Sequence, residues 1–150
     1  MEVFAGRRER VLDGLDGVAI VSAAPTTIRN NDVEYEYRQD SDLYYLTGFE
    51  EPESLLLLTT VHPEHRSVMF VRERDPAREV WDGARAGVEG VIDRCGVDAS
   101  YPMRELAKHL PTYLRGAGRL VYELGKSPRL DRRVLAAIQT LRARGRSVEG

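Results

Sequence analysis

Gly17-Val-Ala-Ile-Val-Ser-Ala-Ala24 is an apolar run of strand length, closed by Pro25. A strand with one wet face alternates apolar and polar residues. This run does not, so it reads as a strand covered on both faces. Ser54 to Val61 and Ser67 to Arg72 are two more strands, joined through His62-Pro63-Glu64-His65-Arg66, a connection suited to a hairpin. Leu43-Tyr-Tyr-Leu-Thr47, closed by Gly48, reads as a further strand, and Gly118 to Leu124 as another.

Helices are expected between and around these strands. Val3, Phe4, Val11, Leu12 and Leu15 share one helical face, with Arg7 and Arg8 on the other, and Gly14 and Gly17 end that helix. Thr26 to Asp42 is polar and aperiodic, an ordered loop with a short extended piece near Tyr35 and Tyr37, and Glu73 to Glu79 is a charged segment leading to Val80-Trp81-Asp82-Gly83. Ala86, Val88, Val91 and Ile92 mark a short helix ended near Gly96, followed by an extended stretch over Val97 to Ser100. Pro102 suits a first helical position, and Leu106, Leu110 and Leu114 line one face of the helix after it, which Pro111 should kink or interrupt. Asp131 to Arg144 carries the stripe Val134, Leu135, Ile138 and Leu141. A hairpin followed by strand–helix alternation makes the fold class α/β: a mixed sheet flanked by helices.

The chain of 150 residues has the size of one domain. A net charge of −2 with mixed signs gives no general attraction to nucleic acid or anionic membrane. Cys95 is the only cysteine, which rules out an internal disulfide and suits a reducing cytosol. Met1 to Leu15 lacks the uninterrupted apolar stretch of a secretory signal, so a cytoplasmic location is expected.

Catalytic chemistry is hard to find. His62 and His65 flank a turn, His109 sits beside Lys108, and all three read as solvent-exposed. Two histidines four apart on a helix do not occur, nor does a phosphate loop, and Ser41 has no nucleophile elbow around it. Cys95 has only Arg94 as a basic neighbour and reads as a buried, inert thiol. The strands Gly17 to Ala24 and Ser54 to Val61 carry no interior Asp or Glu, against a ribonuclease H-like nuclease. Two features stay open. Arg29 to Glu53 concentrates charges and four tyrosines, either as a functional loop or as a hydrogen-bonded scaffold in which Asp40, Ser41 and Asp42 cap turns. Trp81 either plugs a core edge or shows an aromatic face to a partner.

Tyr37-Arg-Gln-Asp-Ser-Asp-Leu-Tyr-Tyr-Leu-Thr-Gly-Phe-Glu-Glu-Pro52 closely resembles the signature of the amino-terminal domain of aminopeptidase P, in the creatinase and prolidase superfamily. Phe4 to Arg8, Val18 to Ser22, Pro25 to Tyr35 and Glu79 to Gly83 extend the resemblance over nearly the whole chain. Asp40 stands where the signature commonly has Asn. The resemblance implies a mixed sheet with a ribonuclease H-like motif, preceding a carboxy-terminal pita-bread metallopeptidase domain. That later domain would hold two divalent ions, usually manganese, and cleave the bond between an amino-terminal residue and a following proline. It implies no catalytic or metal-binding residue on this chain, which alone is expected to be inactive. The expected partners are its own catalytic domain, further copies in a dimer or tetramer, and an Xaa-Pro peptide. By resemblance, Asp32 and Trp81 would contact substrate in a neighbouring active site, whereas Arg38, Ser41, Asp42 and Gly48 would be scaffold. Residues 1–145 are expected to form the domain and 146–150 to begin a linker to the missing half. The alternative is a stand-alone peptide- or protein-binding module that has lost the catalytic domain.

Overall fold

The computed structural model describes residues 2–26 and 37–149, with side chains described up to residue 144. The chain runs α1 (Glu2–Gly14), β1 (Val18–Ser22), α2 (Ser41–Thr47), β2 (Leu55–Thr59), β3 (Ser67–Val71), α3 (Pro76–Asp82), α4 (Gly87–Cys95), β4 (Ala99–Pro102), a 3-10 turn (Met103–Glu105), α5 (Leu106–Leu114), β5 (Leu120–Tyr122) and α6 (Pro128–Glu149). Among the described residues the sheet has five strands in the order β4-β3-β2-β1-β5. β2 runs antiparallel to β1 and β3, whereas β1–β5 and β3–β4 are parallel. The mixed α/β architecture read from the sequence is therefore the one observed.

The unalternating strands are buried on both sides. Ala19, Leu56, Leu58, Met69 and Val71 face a core completed by Leu12, Leu43, Leu46, Phe49 and Val91, from α1, α2, its exit and α4. Val18, Ile20, Leu55, Leu57, Val68 and Phe70 face the opposite core, filled by Leu106, Leu110, Tyr113, Val134 and Ala137 from α5 and α6. Alternate residues of each strand feed opposite layers, so neither face can be polar.

Several local expectations are corrected. Residues 43–47 are helical, because the Asp40 carboxylate accepts the Leu43 N–H at 3.0 Å and Gly48 closes the helix at φ 70°. Leu43, Leu46 and Thr47 are buried while Tyr44 and Tyr45 are exposed, a helical period rather than an alternation. Arg8 does not lie on a wet arginine face: it is buried beneath α2 and α4. The charged segment after β3 forms α3. Pro102 ends β4 and caps the 3-10 turn, one residue before the first helical position. Pro111 sits inside an unbroken α5, where exposed Ala107 lets water reach the carbonyl that proline leaves without a helical partner. α6 starts at Pro128 and passes Gly145 to reach Glu149. The extended piece near Tyr35 lies outside the described residues, and residues 37–40 are irregular. No helix of the described residues is long and apolar enough to cross a membrane.

Candidate functional site

β1, β3, β4 and β5 point the same way, so their carboxyl ends and the start of β2 share one edge of the sheet. In open α/β sheets the segments leaving that edge are where ligands are met. Here those segments are the loop after β1, the signature, the α3 excursion and the turn before α6.

The signature is held by its own polar side chains. Gln39 Oε1 accepts the backbone N–H of Ala24 at 3.1 Å and of Asp40 at 2.9 Å, while its amide nitrogen donates to Phe49 O and Glu51 O. One side chain thereby ties the exit of β1 to both ends of the signature. The Tyr37 hydroxyl, 2.6 Å from Ala24 O, is pushed up to about 12 by burial and by the Asp40 charge. Lys126 Nζ donates to Asp40 at 2.8 Å and to Ser22 O at 2.7 Å, joining the turn before α6 to the cap of α2. An asparagine at position 40 would keep the cap but not this ion pair. Glu51 accepts the Ala86 N–H at 2.9 Å and pairs with Arg72 at 3.3 Å, linking the signature to the exit of β3 and the N-cap of α4, the two ends of the excursion that carries α3.

Burial raises the Asp40 carboxyl, but the Lys126 ammonium and the Leu43 N–H outweigh it and hold Asp40 below the ordinary carboxylate range. A depressed folded value means stability that is present above the unfolded pKa and lost as pH falls through the folded one. Asp40→Asn is expected to cost about 1–2 kcal/mol at pH 7 in urea melts. The gap from the parent chain should close in strongly acidic buffer, where Asp40 is protonated in both states. A gap that persists there would remove the ion pair as its cause.

The α3 excursion is stapled shut. Asp75 caps α3 by accepting the Arg78 N–H, and Pro76 opens it. Glu79 accepts the N–H groups of Arg85 and Asp75, each at 2.8 Å, and pairs with Arg74; the Arg85 N–H foremost holds its carboxyl below the usual range. No residue of α3 is buried, and Val80 and Trp81 are 79% and 87% exposed. Of the two readings of Trp81, the core plug is excluded: a braced loop displays the indole. Asp32 lies outside the described residues.

Ser41 begins α2, and Gly48 takes the left-handed conformation where a Cβ would meet the Phe4 ring at 2.7 Å. Arg38 and Asp42 are exposed. Cys95 is buried, and burial pushes its thiol up. The histidines are half-buried rather than free in solvent. His62 Nδ1 accepts the His65 N–H at 2.9 Å, His65 Nδ1 lies 2.9 Å from the Tyr113 hydroxyl, and His109 stacks on Tyr101 at 3.7 Å. His62 and His65 belong to the opposite end of the sheet. Among the described residues, no three His, Cys, Asp or Glu side chains are grouped to hold a metal ion. Sequence reasoning missed the bracing roles of Gln39, Glu51, Glu79 and Lys126. Asp75-Pro76 with Glu79 is a legible helix start, but the Lys126–Asp40 pair spans 86 residues and leaves no local sign.

Residues 4–122 match the family model of the aminopeptidase P N-terminal domain. The chain is 41% identical to mouse Xaa-Pro aminopeptidase 3 over 113 residues, which are 73% of this chain and 22% of that protein. It is 35% identical to Escherichia coli Xaa-Pro aminopeptidase over 142 residues, 93% of this chain and 32% of the relative. The structure of Pseudomonas aeruginosa aminopeptidase PepP superposes with a TM-score of 0.87 at 43% identity, covering 96% of this chain and 33% of that one. Escherichia coli aminopeptidase P in complex with substrate gives 0.87 at 34% identity, covering 97% and 34%. The chain thus spans between about a fifth and a third of the length of the relatives it matches.

Proposed function

Because the chain belongs to the aminopeptidase P amino-terminal domain family, we propose that it serves as the non-catalytic domain of an Xaa-Pro aminopeptidase, shaping the entrance to the active site. In this reading the protein is a cytoplasmic homo-oligomer that releases the residue ahead of proline. In the same reading two divalent ions, manganese or similar, are held by the catalytic domain that follows this one; among the described residues no His, Cys, Asp and Glu side chains are grouped to fit them. This chain contributes surface and position. Trp81 packs its ring on the apolar edge of a bound peptide in a neighbouring subunit and displaces water there. Asp32 holds the substrate's ammonium or orients an arginine around it.

The observation that carries this reading is Trp81, 87% exposed on a segment braced by Glu79 and Glu51. An isolated domain gains nothing by fixing an indole in water, whereas a partner surface does. The test joins this chain to the remaining two-thirds of the Pseudomonas aeruginosa enzyme and assays an Xaa-Pro peptide. Trp81→Ala should leave the melting temperature unchanged and lower kcat/KM about tenfold, the loss of one aromatic contact. Asp32→Ala should act in the same direction. Parental kcat/KM in both variants would refute the proposed roles; activity against peptides lacking proline would refute the substrate class.

A further inference from the structure

Two hollows open on the carboxyl edge of the sheet and meet at Glu53, Met103 and Arg104. The one beside α3, about 360 Å³, is lined by Arg72, Arg74, Arg85 and Arg104 against Glu53, Glu73 and Asp75. Most of these charges are spoken for. Arg104 pairs with Glu73, Arg74 with Glu79 and Arg72 with Glu51, while the Asp75 carboxylate caps α3. Arg85 has no carboxylate partner among the described residues and donates through Nη1 to Glu73 O at 3.2 Å. The Nε–H groups of Arg72 and Arg85 are both buried without an acceptor. Orphaned donors of this kind are rare in folded proteins and call for a missing partner.

The backbone around the hollow is specialised too. Glu53 has φ 52°, the one positive value outside glycine among the described residues, and such strain gathers at ligand sites. At Gly87, φ 72°, a Cβ would fall 2.7 Å from Arg74 Cγ, so glycine clears the path of that arginine along the wall.

We propose that this hollow is an oxyanion site, in which Arg85, flanked by Arg72 and with Arg104 at the mouth, takes a carboxylate or phosphate group. Guanidinium forks match both oxyanions in the same way. Glu53 lies exposed at the junction of the two hollows, and its charge limits how much negative charge the site accepts.

The test titrates this chain with sodium phosphate and, separately, sodium succinate at constant ionic strength, following backbone amide shifts by NMR. The amides of Arg72 to Asp75 and of Arg85 and Ala86 should shift saturably. Arg85→Gln should weaken binding about tenfold, as expected for one charge-assisted pair, and Arg104→Gln by less. Glu53→Gln should tighten it about threefold by removing a like charge. Melting curves confirm that each variant is folded. Saturation by phosphate alone, or by succinate alone, identifies the source of the oxyanion. Unsaturable shifts, shifts reproduced by chloride, or parental affinity in Arg85→Gln would overturn the site.

Discussion

Arg8→Met lowers the stability of this fold by about 3 kcal/mol, as expected when two buried carbonyls lose a charged donor. Arg8 is 3% exposed and reaches up from α1, giving Nη1 to Leu46 O at 2.9 Å and Nη2 to Cys95 O at 2.7 Å. Those carbonyls end α2 and α4, where the last turn has no helical partners and the dipoles leave partial negative charge. One guanidinium thus closes two helix ends, and burial lowers its pKa without discharging it. Methionine fills much of the stem's volume but leaves both carbonyls dry and unpaired. In thermal melts the midpoint should fall by roughly 6–12 °C. Arg8→Lys, a single point donor, should recover only part of the loss. A melting temperature within a degree or two of the parent's for Arg8→Met would show that the two bonds contribute nothing net.

Gly17→Ala should cost about 3 kcal/mol or more, in the class of substitutions that meet backbone at a special φ. Gly17 has φ 128°, and a Cβ there would lie 2.2 Å from Arg119 O. The residue cannot step aside, because its N–H donates to Thr60 Oγ1 and its carbonyl accepts the Thr60 N–H, each at 3.0 Å. Relief requires moving Arg119, whose carbonyl accepts the Val18 N–H and starts the pairing of β5 with β1. Hydrogen exchange should therefore report lost protection at Leu120 to Tyr122 before the rest of the sheet. Gly14→Ala is the control: it ends α1 with nothing within 4 Å of an added Cβ, and alanine there should be neutral or slightly stabilising. Equal effects at the two glycines would contradict the close approach at Gly17.

The sheet was legible because burial on two faces imposes apolar runs, and β1, β2 and β3 lie inside the runs that begin at Gly17, Ser54 and Ser67. α4 was legible for the same kind of reason, its apolar positions keeping helical spacing before Gly96. α2 was misread because Leu-Tyr-Tyr-Leu carries aromatic strand preference over too few residues for a period to show. Its caps, Asp40 and Gly48, were the better guide. Arg8 could not be recognised from its own helix, since its acceptors come from residues 38 and 87 positions away. Trp81 was recognisable as a candidate, but its display depends on Glu79 folding back on the N–H groups of Asp75 and Arg85. The resemblance over residues 37–52 pointed to the family, and the match over residues 4–122 bears it out.

The domain's supporting role is tested most directly by assaying this 150-residue chain, purified alone, on an Xaa-Pro peptide with and without added manganese. No release of the amino-terminal residue is expected under either condition, with activity appearing once the chain is joined to a relative's remaining two-thirds. Metal-dependent turnover by the chain alone would contradict the supporting role outright.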